Sequence, residues 1–365
     1  MSKTQKTGML GSSRLCGSLI NLVALTLLIV FLPRIFTKTS DISLIWTCCV
    51  FVIMATSLNI TMGFMGQLAL GHCGFMAIGA YVSTWFANLM KAQGFFQNAY
   101  DSNYYIVLIC AILIGGVATA LVGLIVGAPA LRLHGDYLAI ITLGFGLIAK
   151  SVLDNIASPT LYAQDCNMYI ADKIKGRYLW FILLVTVLSV ALMFTFIRSK
   201  YGRALKSIRD DDIASSASGI NTSFYKILGF VFSAFFAGIA GVLYAAMMSS
   251  LSTASFAFSN SSIYNSIFIV VMVVLGGMGS LTGSVVAAAG MVYLNKLITS
   301  VPESSFLFVI ARYPMLLYAL VLIVFIMFRP KGLLGTYEFS LYGTLRAIPQ
   351  LFRRRKQPKE DADHG

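Results

Sequence analysis

Residues 104–126 read YYIVLICAILIGGVATALVGLIV, an uninterrupted run without a single charged side chain. A helix needs about 20 such apolar residues to cross the hydrocarbon core of a bilayer. Similar runs recur along the chain, which is 58% hydrophobic and only 11% charged, with a mean hydropathy of +0.82. A soluble domain of this length needs more charge to cover its surface. The sequence therefore predicts an all-α, polytopic membrane protein.

Ten apolar segments are predicted along the chain. They lie near Ser18–Leu32, Ile42–Met62, Leu68–Met90, Tyr104–Val126, Tyr137–Leu153, Leu179–Ile197, Ile227–Met248, Ile263–Leu275, Ser284–Leu294 and Tyr313–Phe328. The two segments on either side of Gly276–Gly283 are short, so half-helices or a re-entrant turn are expected there. The first segment ends at Pro33 without a small-residue cleavage site, so it is predicted to be an uncleaved anchor and not a signal peptide.

The lysines and arginines indicate the orientation. They concentrate in residues 1–17, in the loop 198–226 and in the tail 336–365, and the transmembrane domain is predicted at 18–335. Because positive residues favour the cytoplasmic side, both termini and the loop are predicted to be cytoplasmic. The tail is predicted to be disordered, with its basic run at Arg353–Lys356 against anionic membrane lipid. Nucleic acid is not an expected partner, since the basic residues flank apolar runs instead of forming a solvated patch.

Several catalytic classes lack their motifs in this chain. No G-x-x-x-x-G-K-[ST] phosphate loop occurs, so the chain is not its own P-loop ATPase. No H-E-x-x-H occurs and the three histidines are scattered, so neither an intramembrane zinc protease nor any metal or cofactor is predicted. All acidic residues fall in loops, in tails or at segment ends, whereas a proton-coupled carrier buries a carboxylate on its path. An enzyme is not expected, and sodium coupling through carbonyls and hydroxyls stays open.

Two glycine-dense stretches interrupt the apolar runs. Residues 63–74 read GFMGQLALGHCG and residues 275–283 read LGGMGSLTG. A broken helix is tolerated at membrane depth only where it lines a cavity or is buried in protein. The candidate residues of a solute path are Gly66, Gln67, Gly71, His72, Gly276, Gly277 and Gly279. The alternative is plain helix packing, which is also the interpretation of the small-residue pairs Gly123/Gly127 and Ala234/Gly238.

The stretch 198–221, RSKYGRALKSIRDDDIASSASGIN, is the most unusual in the chain. Leu205, Ile208 and Ile213 punctuate its charges, which predicts a short amphipathic helix, a break at Gly219 and then the next span. Spaced apolar residues with mixed charge suit the docking of a soluble partner. A solvated loop that follows the positive-inside rule is the alternative.

These motifs also resemble a known family. The loop residues Gly202, Arg203, Ile208, Arg209, Asp210, Ala214 and Gly219 resemble the cytoplasmic loop of branched-chain amino acid permeases of the LivM kind. Gly66-Gln67-Leu68 with Leu70-Gly71-His72, Gly276-Gly277 and Gly332–Gly335 resemble further signatures of that family. The resemblance runs in order from about residue 40 to residue 335.

The resemblance implies a permease subunit of an ATP-binding-cassette importer in the bacterial inner membrane. Its implied partners are a second, LivH-like permease, two cytoplasmic ATP-binding subunits and an extracytoplasmic solute-binding protein. It also implies that the loop residues listed above dock on an ATPase and transmit its closure. Members often carry a Glu before Gly219, where this chain has Ser215 and Ser216, so Asp210–Asp212 are expected to supply the charge.

The resemblance implies branched-chain or related amino acids as substrates. Urea or short amides are an alternative, because relatives in the same group carry them. A second hypothesis from another class is a secondary transporter or channel that needs no ATPase and tolerates changes in the loop.

Overall fold

The computed structural model describes residues 39–96, 103–131, 137–156, 168–170, 175–256, 266–299, 314–329 and 332–333. Within these residues the chain forms eleven α-helices and no strand, which confirms the all-α prediction. They are α1 Thr39–Asn59, α2 His72–Ala92, α3 Tyr104–Ala130, α4 Tyr137–Ile156, α5 Lys175–Arg198, α6 Lys200–Asp210, α7 Asp212–Ala217, α8 Thr222–Met247, α9 Ser266–Gly276, α10 Leu281–Thr299 and α11 Pro314–Phe328. The predicted anchor Ser18–Leu32 and the tail 336–365 lie outside the described residues.

Seven of the described helices are long and apolar enough to cross a membrane. α2 begins at His72 and not near Leu68, because residues 65–71 leave the helical conformation. The prediction of a short segment at Ser284–Leu294 is wrong, since α10 runs for 19 residues and is of spanning length. α9 is short as expected, with 11 residues in the described part of the chain.

α8 forms the centre of the bundle, where it packs against α1, α2 and α3. Small residues let these helices approach closely: a Cβ on Gly123 would stand 2.7 Å from Ala234 Cβ, and one on Gly127 the same distance from the Phe230 ring. The tight packing predicted for the small-residue pairs is thus confirmed. α1 is anchored on α8 by the Trp46 indole, whose Nε1 donates to Leu243 O at 3.0 Å.

The bundle has two recognisable ends. At the first, the loop end, the turn after α1, the turn between α9 and α10, and the helices α6 and α7 lie together. A sharp turn joins α5 to α6, and the Gly202 backbone packs against the Ile197 carbonyl there. At the far end, the start of α1 meets the end of α10 through an ion pair between Asp41 and Lys296 of 2.9 Å.

Candidate functional site

The last turn of the first described span departs from the α-helix. α1 continues into a π-helical turn at Ile60–Phe64, a geometry found frequently at functional sites. The chain then runs without helix through residues 65–71, and Gly66 adopts a φ of +72° that allows it to reverse direction. The second glycine-rich stretch makes the tight turn between α9 and α10, where Gly279 has a φ of +95°.

Asn59 joins the two glycine-rich turns. Its side-chain Nδ2 donates to Ser280 O at 2.9 Å and to Ser284 Oγ at 2.7 Å. Its Oδ1 accepts the backbone N–H of Gly279 at 3.0 Å. The side chain is fully buried, so these bonds satisfy the amide and backbone groups that the turn exposes. Sequence reasoning missed Asn59, although an amide in the last turn of an apolar span was a usable signal.

Gly63 lies in the contact between the two turns. A Cβ there would overlap both Asn59 Oδ1 and the backbone N of Gly279. Movement of the Asn59 side chain would not relieve the overlap, because the other group is the backbone of the second turn. The carbonyl of Gly63 points to the loop 198–226, where it accepts a hydrogen bond from Arg209 Nη1 at 2.8 Å.

The Arg209 side chain connects α6 with both turns. A Cβ on Gly66 would stand 2.7 Å from Arg209 Cγ, and one on Gly279 would stand 3.2 Å from Arg209 Nη1. Nε and Nη2 of Arg209 donate to the Oδ1 atom of Asp210 at 3.1 and 2.9 Å, which fixes the guanidinium. Gly66 and Gly279, two predicted path residues, therefore both meet the side chain of one predicted loop residue, Arg209.

The inner face of α6 is buried against the bundle. Leu205 is fully buried and Ile208 nearly so, with Leu205 packed against Gly229 of α8. Lys206 lies 5.1 Å from the ring centre of Phe64 in the π-helical turn. Leu205 and Ile208 thus attach α6 to the bundle of its own chain instead of facing a soluble partner.

The loop contains two helices where the sequence predicted one. They divide at Asp211, whose side chain accepts the Ala214 N–H at 2.9 Å and caps α7. The expected break is confirmed, with Gly219 at a φ of +83° between α7 and α8. Ser215 is buried and its Oγ lies 2.7 Å from Ser207 Oγ, which ties α7 to α6.

The outer surface of the loop carries exposed apolar residues. Ile213 of α7 is 83% exposed and Phe224 of α8 is 53% exposed. Five predicted coupling residues are also exposed, namely Arg203, Arg209, Asp210, Ala214 and Gly219. Asp212 pairs with Lys226 of α8 at 2.6 Å, so it holds the base of α7 in place.

The other predicted path residues have different neighbours. His72 is buried, and its Nε2 lies 2.8 Å from Ser57 Oγ of α1. Gly71 packs directly on the Thr142 carbonyl of α4. Gln67 donates its backbone N–H to Thr61 O at 3.0 Å, and its Oε1 is buried without a hydrogen bond in the described part of the chain.

The segment after α11 folds onto the second glycine-rich turn. The Leu333 N–H donates to Leu275 O at 2.9 Å, and Gly332 packs on the backbone of Gly277. Gly276 in turn packs on the backbone of Gly283. The turn 277–280 is therefore enclosed by Asn59 from α1, by Arg209 from α6 and by residues 332–333.

Comparison with known proteins gives consistent matches. The family described as branched-chain amino acid transport system, permease component, matches residues 42–327. The high-affinity branched-chain amino acid transport system permease protein LivM of Escherichia coli strain K12 is 33% identical over 345 residues, covering 86% of this chain and 74% of that protein. The LivM protein of Salmonella typhimurium strain LT2 is 32% identical over 344 residues, with the same coverage. No solved structure matches.

Proposed function

The chain belongs to the branched-chain amino acid transport permease family, and on this basis we propose that it is the membrane subunit of an ATP-driven importer for branched-chain or related amino acids. Its matched relatives are named for high-affinity transport of branched-chain amino acids. We assign the same substrate class to this chain. Urea or short amides are the alternative, and competition between these compounds and leucine for uptake distinguishes the two substrate classes.

The contact of Arg209 with both glycine-rich turns carries the proposal. An importer of this class needs a mechanical connection between the ATPase and the part of the permease that opens. α6 is fixed to the bundle by Leu205 and Ile208, and its Arg209 donates to the Gly63 carbonyl. A displacement of α6 therefore reaches the turn 60–66 directly and the turn 277–280 through Asn59.

The two turns are suited to be the moving parts. They are short, glycine-rich and non-helical in places, so their backbone dihedrals change without breaking a long helix. Closure of the ATPases would push α7 and α6, and the paired turns would then switch the path between its two openings. Gly66, Gln67, Gly71, His72, Gly276, Gly277 and Gly279 are proposed to border that path.

We propose the partners that the resemblance to the family implies. We propose that the exposed Ile213 and Phe224, together with the exposed Arg203 and Asp210, form a surface for a cytoplasmic ATP-binding subunit. That subunit would hydrolyse ATP, since this chain has no phosphate loop. A second permease would complete the path and dock a second ATP-binding subunit, and an extracytoplasmic solute-binding protein would deliver the amino acid at the far end.

The proposed orientation places the loop end of the bundle on the cytoplasmic side of a bacterial inner membrane. The loop 198–226 contributes six lysines and arginines to this end, in agreement with the positive-inside rule. Both termini are proposed to be cytoplasmic as well.

Replacing Ile213 with aspartate is expected to release the ATP-binding subunits. Ile213 is 83% exposed, so the change does not disturb the fold, but it places a charge in the centre of the proposed contact. Co-purification of the ATP-binding subunits with the tagged permease measures the effect, and we expect a loss on the order of tenfold. Gln93→Asp, which adds the same charge at an exposed position after α2, is the matched control. If the ATP-binding subunits co-purify equally with both variants, α7 is not part of the docking surface.

A further inference from the structure

The carbonyl of Leu275, near the end of α9, is capped by a residue that follows α11. In a helix that continued, this carbonyl would accept the N–H of Gly279, four residues later. That N–H instead donates to Asn59 Oδ1 at 3.0 Å. Leu275 is buried, and a buried carbonyl needs a hydrogen-bond donor. The Leu333 N–H supplies it at 2.9 Å.

Two glycine backbones bring Leu333 to this position. Gly332 has a φ of +81° and Gly277 has a φ of +108°, values that glycine adopts readily. A Cβ on Gly332 would overlap the Cα and N atoms of Gly277, so a larger residue would hold the two segments apart. We call Gly332 and Leu333 the latch, since they join the second glycine-rich turn to the chain that follows α11.

The latch holds the end of α9 and its turn more weakly than Asn59 does. Asn59 is fully buried, and its side chain makes hydrogen bonds to three residues of the turn and of α10. Within the described residues, the latch makes one backbone hydrogen bond to α9, and Gly332 has no side chain to add to it. One such bond changes an equilibrium by roughly two- to tenfold. The latch is therefore the contact that opens first when the turn is displaced.

The surroundings of the latch allow it to open. Leu333 is 46% exposed, and Met278 of the turn is 53% exposed. In the proposed orientation this end of the bundle faces the cytoplasm, so water replaces the hydrogen bond that Leu333 gives up. The exchange of one hydrogen bond for another has a small net cost, as a contact that opens and closes in every cycle requires.

We propose that the latch restrains the turn 277–280 between transport cycles and opens when the ATP-binding subunits close. Arg209 would carry the displacement, since its Nη1 lies 3.2 Å from a Cβ built on Gly279 of this turn. A closed latch slows the switch of the path in the absence of solute and so limits ATP hydrolysis that transports nothing. The inference rests on the proposed function, because the ATP-binding subunits supply the displacement.

Hydrogen–deuterium exchange of the assembled transporter in lipid nanodiscs tests the latch directly. We expect peptides that contain Leu333 or residues 277–280 to exchange roughly two- to tenfold faster with ATP and vanadate, which trap the ATP-binding subunits closed, than without nucleotide. Leu333→Pro removes the N–H, so it is expected to give the faster exchange at 277–280 without nucleotide. Leu333→Ala keeps the N–H and removes only an exposed side chain. It is the matched control and is expected to exchange like the wild type.

ATP hydrolysis without binding protein or solute measures what the latch does. Gly332→Ala places a methyl group on the Gly277 backbone, and we expect it to raise this basal rate roughly two- to tenfold. Gly94→Ala is the matched control, because Gly94 also has a positive φ, of +74°, but no atom of the described residues lies within 4 Å of a Cβ built there. It introduces similar backbone strain without the contact, so its basal rate is expected to equal that of the wild type.

Two results would overturn the latch. One is wild-type exchange at Leu333 that is the same in both nucleotide states, a measurement that needs no variant to fold. The other is an equal basal rate in Gly332→Ala and Gly94→Ala. ATP-driven leucine uptake with the binding protein is measured on the same wild-type preparation. Absence of uptake rejects the proposed function, whereas uptake together with unchanged exchange at Leu333 rejects the latch alone.

Discussion

Arg209→Ala is expected to lower ATP-driven leucine uptake on the order of tenfold while ATP hydrolysis continues. The guanidinium donates a hydrogen bond from α6 to Gly63 O and lies beside Gly279, and the aliphatic part of the same side chain lies beside Gly66. Its removal leaves α6 attached through Leu205 and Ile208, and leaves Lys206 over the Phe64 ring, but it deletes the hydrogen bond to Gly63 O and the contact with Gly279. Coupling free energies between sites are typically 1–3 kcal/mol, which corresponds to about 5- to 150-fold.

The ratio of solute transported to ATP hydrolysed is the decisive quantity for Arg209. A purely structural defect lowers uptake and hydrolysis together, whereas a coupling defect lowers their ratio. Arg209→Lys keeps the charge but loses the planar fork, so partial recovery of the ratio is expected. Lys200→Ala removes an exposed cation from the same helix and serves as the control. An unchanged ratio in Arg209→Ala would show that the force travels by another route.

Gly63→Ala is expected to cause the largest loss of stability. The added methyl group overlaps Asn59 Oδ1 and the Gly279 backbone N, so the hydrogen bond between those two atoms cannot survive unchanged. Overpacking costs typically 1–3 kcal/mol, and the displaced hydrogen bond adds about 1 kcal/mol. Thermal unfolding of the purified protein in detergent measures the effect, and uptake is expected to be lost with it.

Gly290→Ala is the matched control for this substitution. Gly290 lies within α10, and nothing lies within 4 Å of a Cβ built there. The change is expected to be neutral or to stabilise the helix by up to about 1 kcal/mol, because alanine favours the helix over glycine. Equal unfolding temperatures of the two variants would contradict the close contact between the turns.

The spans were predictable because membrane burial leaves a signal in the local sequence. A run such as residues 104–126 satisfies every backbone group within its own helix, so length and composition suffice to identify it. The glycine-rich stretches were also visible as interruptions of such runs. The predicted start and end positions of the spans were less accurate. α2 begins at His72 and not near Leu68, and the sequence did not indicate this because the non-helical residues before His72 keep a hydrophobic composition.

The junction itself could not be predicted, because it depends on contacts between residues far apart in the chain. Asn59 bonds Gly279, which lies 220 residues away, and Arg209 bonds Gly63 over 146 residues. Amphipathic periodicity in residues 198–221 indicated an apolar face but not what covers it. The structure shows that Leu205 and Ile208 face the bundle while Ile213 faces outward, a distinction that needs the position of α8.

The dependence of transport on ATP and on the binding protein separates an importer permease from a secondary carrier or channel. The permease is reconstituted into proteoliposomes with its second permease and ATP-binding subunits, and the binding protein is added outside. For an importer permease of this class we expect labelled leucine to accumulate above its external concentration only with ATP and binding protein. We also expect isoleucine and valine to compete, and urea and acetamide not to compete. Uptake that proceeds without ATP or binding protein would contradict the importer function and favour a secondary carrier or channel.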